Sequence, residues 1–310
     1  MDNNYLTELK DELEIKENKL QELNCILDKL SIAEYEELYT EETSFIKDNR
    51  VEPVQYDQND ISHIFEEHIC EVLTSYYPSG LNILEEEIEE LENKIQKEEE
   101  ELLANIKEEI IKLAKKYSDN LKSKIDNRME EMKVDDKSHY LIYQVLGISD
   151  KEGHLIDLYQ NKGRFLYKYA GSFLEEATKL CFLETFPESA TTKIPNTLGT
   201  RPKTFEIDCL EGNNAIEIKW RDAITDGDHI TKEHTRIKVI YEAGYQPIRV
   251  MFYYPNRTQA MKIQNTLETL YKGIGGEYYY GDSAWEYVKT RTTIDLKQIL
   301  EDIAKENSGD

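Results

Sequence analysis

Leucine and isoleucine recur at alternating steps of three and four through the first 130 residues, and that spacing admits one local structure. Leu6, Leu9, Leu13, Leu20, Leu23, Leu27 and Leu30 fall on one stripe of an α-helix, a heptad seam interrupted once at Lys16. A second run, residues 81–130, carries Leu84, Ile88, Leu91, Ile95, Leu102, Ile106, Ile110, Leu113, Tyr117, Leu121 and Ile125. Its middle steps by four repeatedly, which relaxes the supercoil that a strict seven-residue repeat imposes. A shorter helix is expected at about 60–77, closed by Tyr77-Pro78-Ser79-Gly80. Residues 1–133 therefore read as a long N-terminal α-helical coiled-coil region, either a dimerisation or scaffold element or an arm that embraces DNA.

From about residue 134 the pattern changes, as Lys, Glu and Leu give way to Tyr, Gly and Phe. Helices are expected at 138–146, 152–160 and 163–186, followed by a loop rich in Thr, Pro and Gly over 187–202. Two short strands come next, KTFEIDCL (203–210) and NAIEIKWR (214–221), joined by the turn Glu211-Gly212-Asn213. A helix over 229–243 closes at Gly244, and PIRVMFYY (247–254) reads as a fully buried strand. A helix over 258–272, a Gly/Tyr loop and a final helix from about 283, whole or broken near Thr292-Thr293, complete the chain. This order predicts an α/β domain over 134–310, with a hairpin at 203–221.

The net charge of −25 argues at first against a polyanionic partner. Residues 164–300, however, hold 18 Lys+Arg and 18 Asp+Glu, so the excess acid lies elsewhere. The half containing the hairpin is neutral and leaves nucleic acid open. No apolar run approaches the length of a membrane span, and the acidic N-terminus lacks the features of a secretion signal. Cys25, Cys70, Cys181 and Cys209 have neither CxxC pairing nor zinc-ligand spacing. They read as reduced, buried thiols, and a cytoplasmic location is expected.

Alternation along the strands carries the chemistry. Glu217 and Lys219 share one face of their strand, with Ile216, Ile218 and Trp220 on the other. Strict alternation puts Phe205, Ile207 and Cys209 together and leaves Glu206 and Asp208 opposite. Pairing the strands then gathers Asp208, Glu217 and Lys219. Two carboxylates and an ammonium on apolar-backed strands are unfavourable unless something binds there. Oxygen ligands at this density suit Mg²⁺, which keeps waters and phosphate oxygens in its shell. The tripeptide Glu-Ile-Lys alone is uninformative, since Glu14-Ile15-Lys16 repeats it on a helix surface. The bland reading of the hairpin is a surface ion pair.

Asp208, eight intervening residues and Glu217-Ile218-Lys219 resemble the PD-(D/E)xK nuclease superfamily, with Ile207 where its motif has proline. The runs EIKWRDAITDGDHITKEHTR and YQNKGRFLYKYAGSFLEEA, within residues 139–290, resemble the ApaLI family of type II restriction endonucleases. The resemblance implies a restriction-endonuclease-like core and a homodimer. It implies Mg²⁺-dependent cleavage of double-stranded DNA at a short palindrome, GTGCAC, leaving 5′-phosphate and 3′-hydroxyl ends. It assigns the metal to Asp208, Glu217 and the Ile218 carbonyl, positioning of the attacking water to Lys219, and a supporting acid to Glu175 on the helix before the hairpin.

Several residues are candidates to touch DNA. His229, Lys232, Glu233 and Arg236 fall on one polar face of the helix that Asp228 caps, and Lys232 and Arg236 suit phosphates or guanine edges. The bland reading is an exposed amphipathic helix. Asn256 and Arg257 suit adenine and guanine, or form a turn and helix start. Arg221 contacts the backbone or pairs with Asp222. Tyr278, Tyr279 and Tyr280 cannot share one face and read as packing; Gly273-Ile274-Gly275-Gly276 reads as a hinge. Two other readings remain: a repair or modified-DNA nuclease on the same core, and a noncatalytic coiled-coil interaction protein.

Overall fold

A computed structural model describes residues 3–29, 79–221 and 227–308. The expected helix at 60–77, with Cys70, lies outside the described residues. The chain divides into two compact units between Leu102 and Leu103.

In the first unit α1 (Asn3–Lys29) packs on the opening turns of α2 (Ser79–Val134). Leu9 meets Leu91 and Ile95, whereas Leu20 meets Leu84 and Ile88. Contacts descend along α2 as they rise along α1, so the helices run antiparallel. Lys10–Glu99 and Lys16–Glu87 ion pairs, at 2.7 and 2.6 Å, flank the apolar seam. Leu6, Leu9, Leu13 and Leu20 are thus covered by a helix of their own chain.

The second unit takes in the rest of α2. Ile106, Ile110 and Leu113 belong to its main core, so the change of composition near residue 134 lies inside this unit. Its elements are α3 (Tyr140–Val145), α4 (Asp150–Thr185), β1 (Ala190–Pro195), β2 (Thr204–Glu211), β3 (Asn214–Arg221) and α5 (Gly227–Glu242). There follow β4 (Gln246–Tyr253), α6 (Thr258–Gly273), β5 (Glu277–Tyr280), α7 (Asp282–Thr292) and α8 (Leu296–Ser308). Ser149 and Glu152 form a capping box that starts α4. The two helices expected at 152–160 and 163–186 are this one helix of 36 residues. A helical glycine costs about 1 kcal/mol relative to alanine. At Gly163 that is too little to break a helix capped at one end and anchored at the other by buried Leu174, Ala177 and Phe182.

The sheet runs β1-β2-β3-β4-β5, antiparallel through β3 and parallel thereafter, with α5 and α6 as the crossovers. Helices α4, α7, α8 and the later turns of α2 cover one face through Phe182, Ile218, Val250 and Trp285. Helices α5 and α6 cover the other through Val239, Ile240, Leu267 and Tyr271. Both edge strands, β1 and β5, fall in segments expected to be loops. Each is short and flanked by Pro or Gly, and the strand beside it supplies the hydrogen bonds its own composition does not demand. A Cβ at Gly276 would lie 2.6 Å from the Pro247 carbonyl oxygen, so glycine admits β5 to the sheet. The last helix is in two pieces, because Thr293 adopts a left-handed conformation (φ 61°). Among the described residues no helix is long and apolar enough to cross a membrane.

Candidate active site

The β2–β3 ladder pairs Glu211 with Asn214, Leu210 with Ala215 and Cys209 with Ile216, and stops there. Gly212 makes the turn at φ 51°. Against β1, β2 carries one extra residue, since Ala190 pairs with Leu210 but Thr192 pairs with Ile207. Such a bulge bends a strand and re-aims its side chains. Phe205 and Ile207 consequently join Leu210 and Ala215 on the α5 face, while Cys209 joins Ile216 and Ile218 on the α4 face. The alternation expected for Phe205, Ile207 and Cys209 is therefore broken. The bulge also turns Asp208 into the gap between the separating strands, where its Oδ2 accepts the Ile218 N–H at 2.8 Å. A side chain has replaced a rung of the ladder.

Lys219 enters the same gap. Its Nζ is 3.4 Å from Asp208 Oδ2 and 3.1 Å from the Ile218 carbonyl oxygen, and it also contacts Glu217 Oε1. Three oxygens thus converge on one cation. The two carboxylates are buried, with Asp208 7% and Glu217 3% exposed, whereas the Lys219 side chain is 33% exposed. Among the described residues no three His, Cys, Asp or Glu side chains gather at metal-binding spacing. Two carboxylates with a backbone carbonyl nevertheless make the hard, oxygen-only donor set that suits Mg²⁺, and their convergence on an ammonium fits a cation of that kind. Neighbouring Cys209 supplies no thiolate, since burial pushes its pKa up to about 11.

Glu217 is held from behind as well. Arg236 of α5 contacts its Oε2 and donates to the Glu206 carbonyl, a backbone acceptor near the point where β2 leaves β3. Arg236 in turn lies 3.7 Å from Glu233, which pairs at 3.2 Å with the fully buried Arg249 of β4. Burial lowers the Arg249 pKa, but the charge of Glu233 and the hydroxyls of Tyr271 and Tyr278 outweigh that and raise it. Tyr271, beneath this network, is pushed up to about 12 by burial and by Glu233. The result is an alternating row of charges, Lys219–Glu217–Arg236–Glu233–Arg249, running from solvent into the core.

In front of Lys219 opens a cavity of about 580 Å³ whose walls include Glu175, Gly171 and Tyr167 of α4 with Ile218, Trp220 and Arg257. Glu175 pairs there with Lys179 at 3.0 Å.

The family model of the ApaLI-like restriction endonucleases matches residues 81–305. The chain belongs to that family. No curated protein and no solved structure matches it. The match shows a restriction endonuclease, a nuclease that binds DNA, and it spans the whole sheet with the helices on both its faces.

For this restriction endonuclease the candidate DNA contacts fall into two groups. Arg221, Asn256 and Arg257 come together around Trp220, lining a second cavity of about 380 Å³ beside the first. The Arg221 guanidinium lies 5.1 Å from the Tyr167 ring centre and 5.6 Å from that of Trp220. On α5, Lys232 is exposed but Glu233 and Arg236 turn inward, so the expected polar face is split. Arg236 is 12% exposed and engaged with Glu217, which removes it from the surface that meets DNA. The His229 side chain lies outside the described residues. Sequence reasoning missed Glu233 and Arg249 as partners of the site. The signal was present, since an arginine amid PIRVMFYY has no solvent-facing side and requires a buried acid.

Proposed function

We propose that this protein is a type II restriction endonuclease that cleaves double-stranded DNA at a short palindrome, with Asp208, Glu217, Lys219 and Glu175 as its catalytic residues. The observation that carries the reading is the convergence of Asp208, Glu217 and the Ile218 carbonyl on the Lys219 ammonium, at a gap between strands that opens onto a cavity. These three oxygens would hold Mg²⁺, which when bound polarises the scissile phosphate and acidifies water. Lys219 reaches solvent and can orient the attacking water and offset charge on the phosphate oxygens. Glu175, in the wall of the same cavity, would orient water or support a further cation. In-line attack leaves 5′-phosphate and 3′-hydroxyl ends. Arg221, Lys232, Asn256 and Arg257 are the proposed DNA contacts, and GTGCAC the proposed site, on family grounds.

A palindromic site calls for two copies of the chain. Support for a homodimer comes from the exposed apolar side chains of Leu141, Ile142 and Val145 on α3 and of Ile156 and Tyr159 on α4.

Digestion of phage DNA tests the reading. Wild-type protein with Mg²⁺ should give discrete bands, and chelating the metal should leave the DNA intact. Asp208→Ala and Glu217→Ala should abolish cleavage but keep DNA binding, and Lys219→Ala should slow cleavage at least about 10²-fold. A smear would point to a nuclease without site preference. Unaltered cleavage by Asp208→Ala and Lys219→Ala would end the assignment.

A further inference from the structure

Helix α4 carries a second cavity, away from the hairpin. It measures about 520 Å³ and lies between α4 and the later turns of α2. Lys124 and Arg128 of α2 line it from one side and Arg164 and Lys168 of α4 from the other, each pair four residues apart and so on one helix face. Glu131 is the one carboxylate in its wall. Arg128 is committed to Glu131 and Asp135, at 3.0 and 2.6 Å. Lys124, Arg164 and Lys168 are exposed and have no carboxylate partner among the described residues. In a chain with 63 Asp+Glu against 38 Lys+Arg, three unpaired cations around one cleft are conspicuous.

The cleft is joined to the hairpin by geometry. Arg164, Lys168, Gly171 and Glu175 stand at i, i+4, i+7 and i+11, a single stripe of α4, and the last two line the cavity in front of Lys219. A Cβ at Gly171 would meet nothing within 4 Å, so the stripe crosses open space there. Eleven residues of helix rise roughly 16 Å. Successive phosphates of one strand advance about 3.4 Å along the axis of duplex DNA, so a duplex lying along α4 would place Arg164 about five base-pair steps from Glu175.

We propose that this cleft binds the DNA backbone on the flank of the cut, gripping phosphates by charge and without regard to base sequence. The proposal rests on reading the hairpin as the phosphodiester-cleaving site. Each phosphate neutralised by a cation steepens the fall of affinity with salt by about 0.9 in the log–log slope.

The test uses full-length protein and a fluorescent 30-base-pair duplex, with and without GTGCAC, titrated between 50 and 200 mM salt without divalent cation. The triple variant Lys124→Gln/Arg164→Gln/Lys168→Gln should bind both duplexes at least about tenfold more weakly, with a salt slope shallower by about three. Its thermal unfolding should match wild type, because the three side chains are exposed. Wild-type affinity and slope in the variant would overturn the cleft, and would do so alone if wild type still cuts phage DNA. Loss of affinity in the variant, with a wild type that never cuts, would keep the cleft and overturn the hairpin reading.

Discussion

Glu217, on β3, is buried with a cation on each side, and the two cations do different work. Lys219 is partly exposed and faces the cavity, whereas Arg236 is buried against Glu217, Glu233 and the Glu206 carbonyl. Breaking a buried pair strands the remaining charge, at a cost of about 3–5 kcal/mol. Arg236→Ala should therefore lower unfolding free energy by about that amount in urea titrations. Arg236→Lys should recover only part of it, because an ammonium lacks the planar fork that bridges two acceptors. Lys219→Ala should shift stability far less while slowing cleavage at least about 10²-fold. If Arg236→Ala proves as stable as wild type, the row of charges is not what holds Glu217 in place.

Among the elements, α2 belongs to both units, and its two parts have different roles. Ile106, Ile110 and Leu113 pack into the core of the second unit, and emptying such positions costs about 2–5 kcal/mol each. Domain stability totals about 5–15 kcal/mol. A chain beginning at residue 103 should thus unfold cooperatively on heating, and one beginning at residue 134 should not. Equal melting of the two would contradict the packing. The sequence showed α1, α2, the hairpin and the buried strand β4, all of which follow from local periodicity or turn chemistry, and it left the last helix either whole or broken near Thr293. It hid β1 and β5, whose hydrogen bonds come from neighbours remote in sequence. It brought Asp208, Glu217 and Lys219 together by strand alternation. The bulge beside Asp208 is set by pairing with β1, and the inward turn of Arg236 is set by Glu217 and the Glu206 carbonyl, partners on other elements that no local pattern links to α5.

For the molecule as a whole, Leu6, Leu9, Leu13 and Leu20 of α1 are already covered by α2, so the proposed homodimer calls for a different contact. The apolar residues of α3 and early α4 provide the exposed alternative, with Leu141 63% and Val145 73% exposed. Leu141→Glu/Val145→Glu should convert a dimer to a monomer by analytical ultracentrifugation, with the melting temperature kept. A double variant that sediments as wild type would move the contact elsewhere. The unbroken run of α4 through Gly163 then acquires a consequence. In a dimer of this kind one rigid rod bears the contact at Ile156 and Tyr159, the cations at Arg164 and Lys168, and the acid at Glu175. In the proposed dimer its pitch would set the stagger between the nicks on opposite strands, so inserting residues into α4 would swing one blade out of phase with the other.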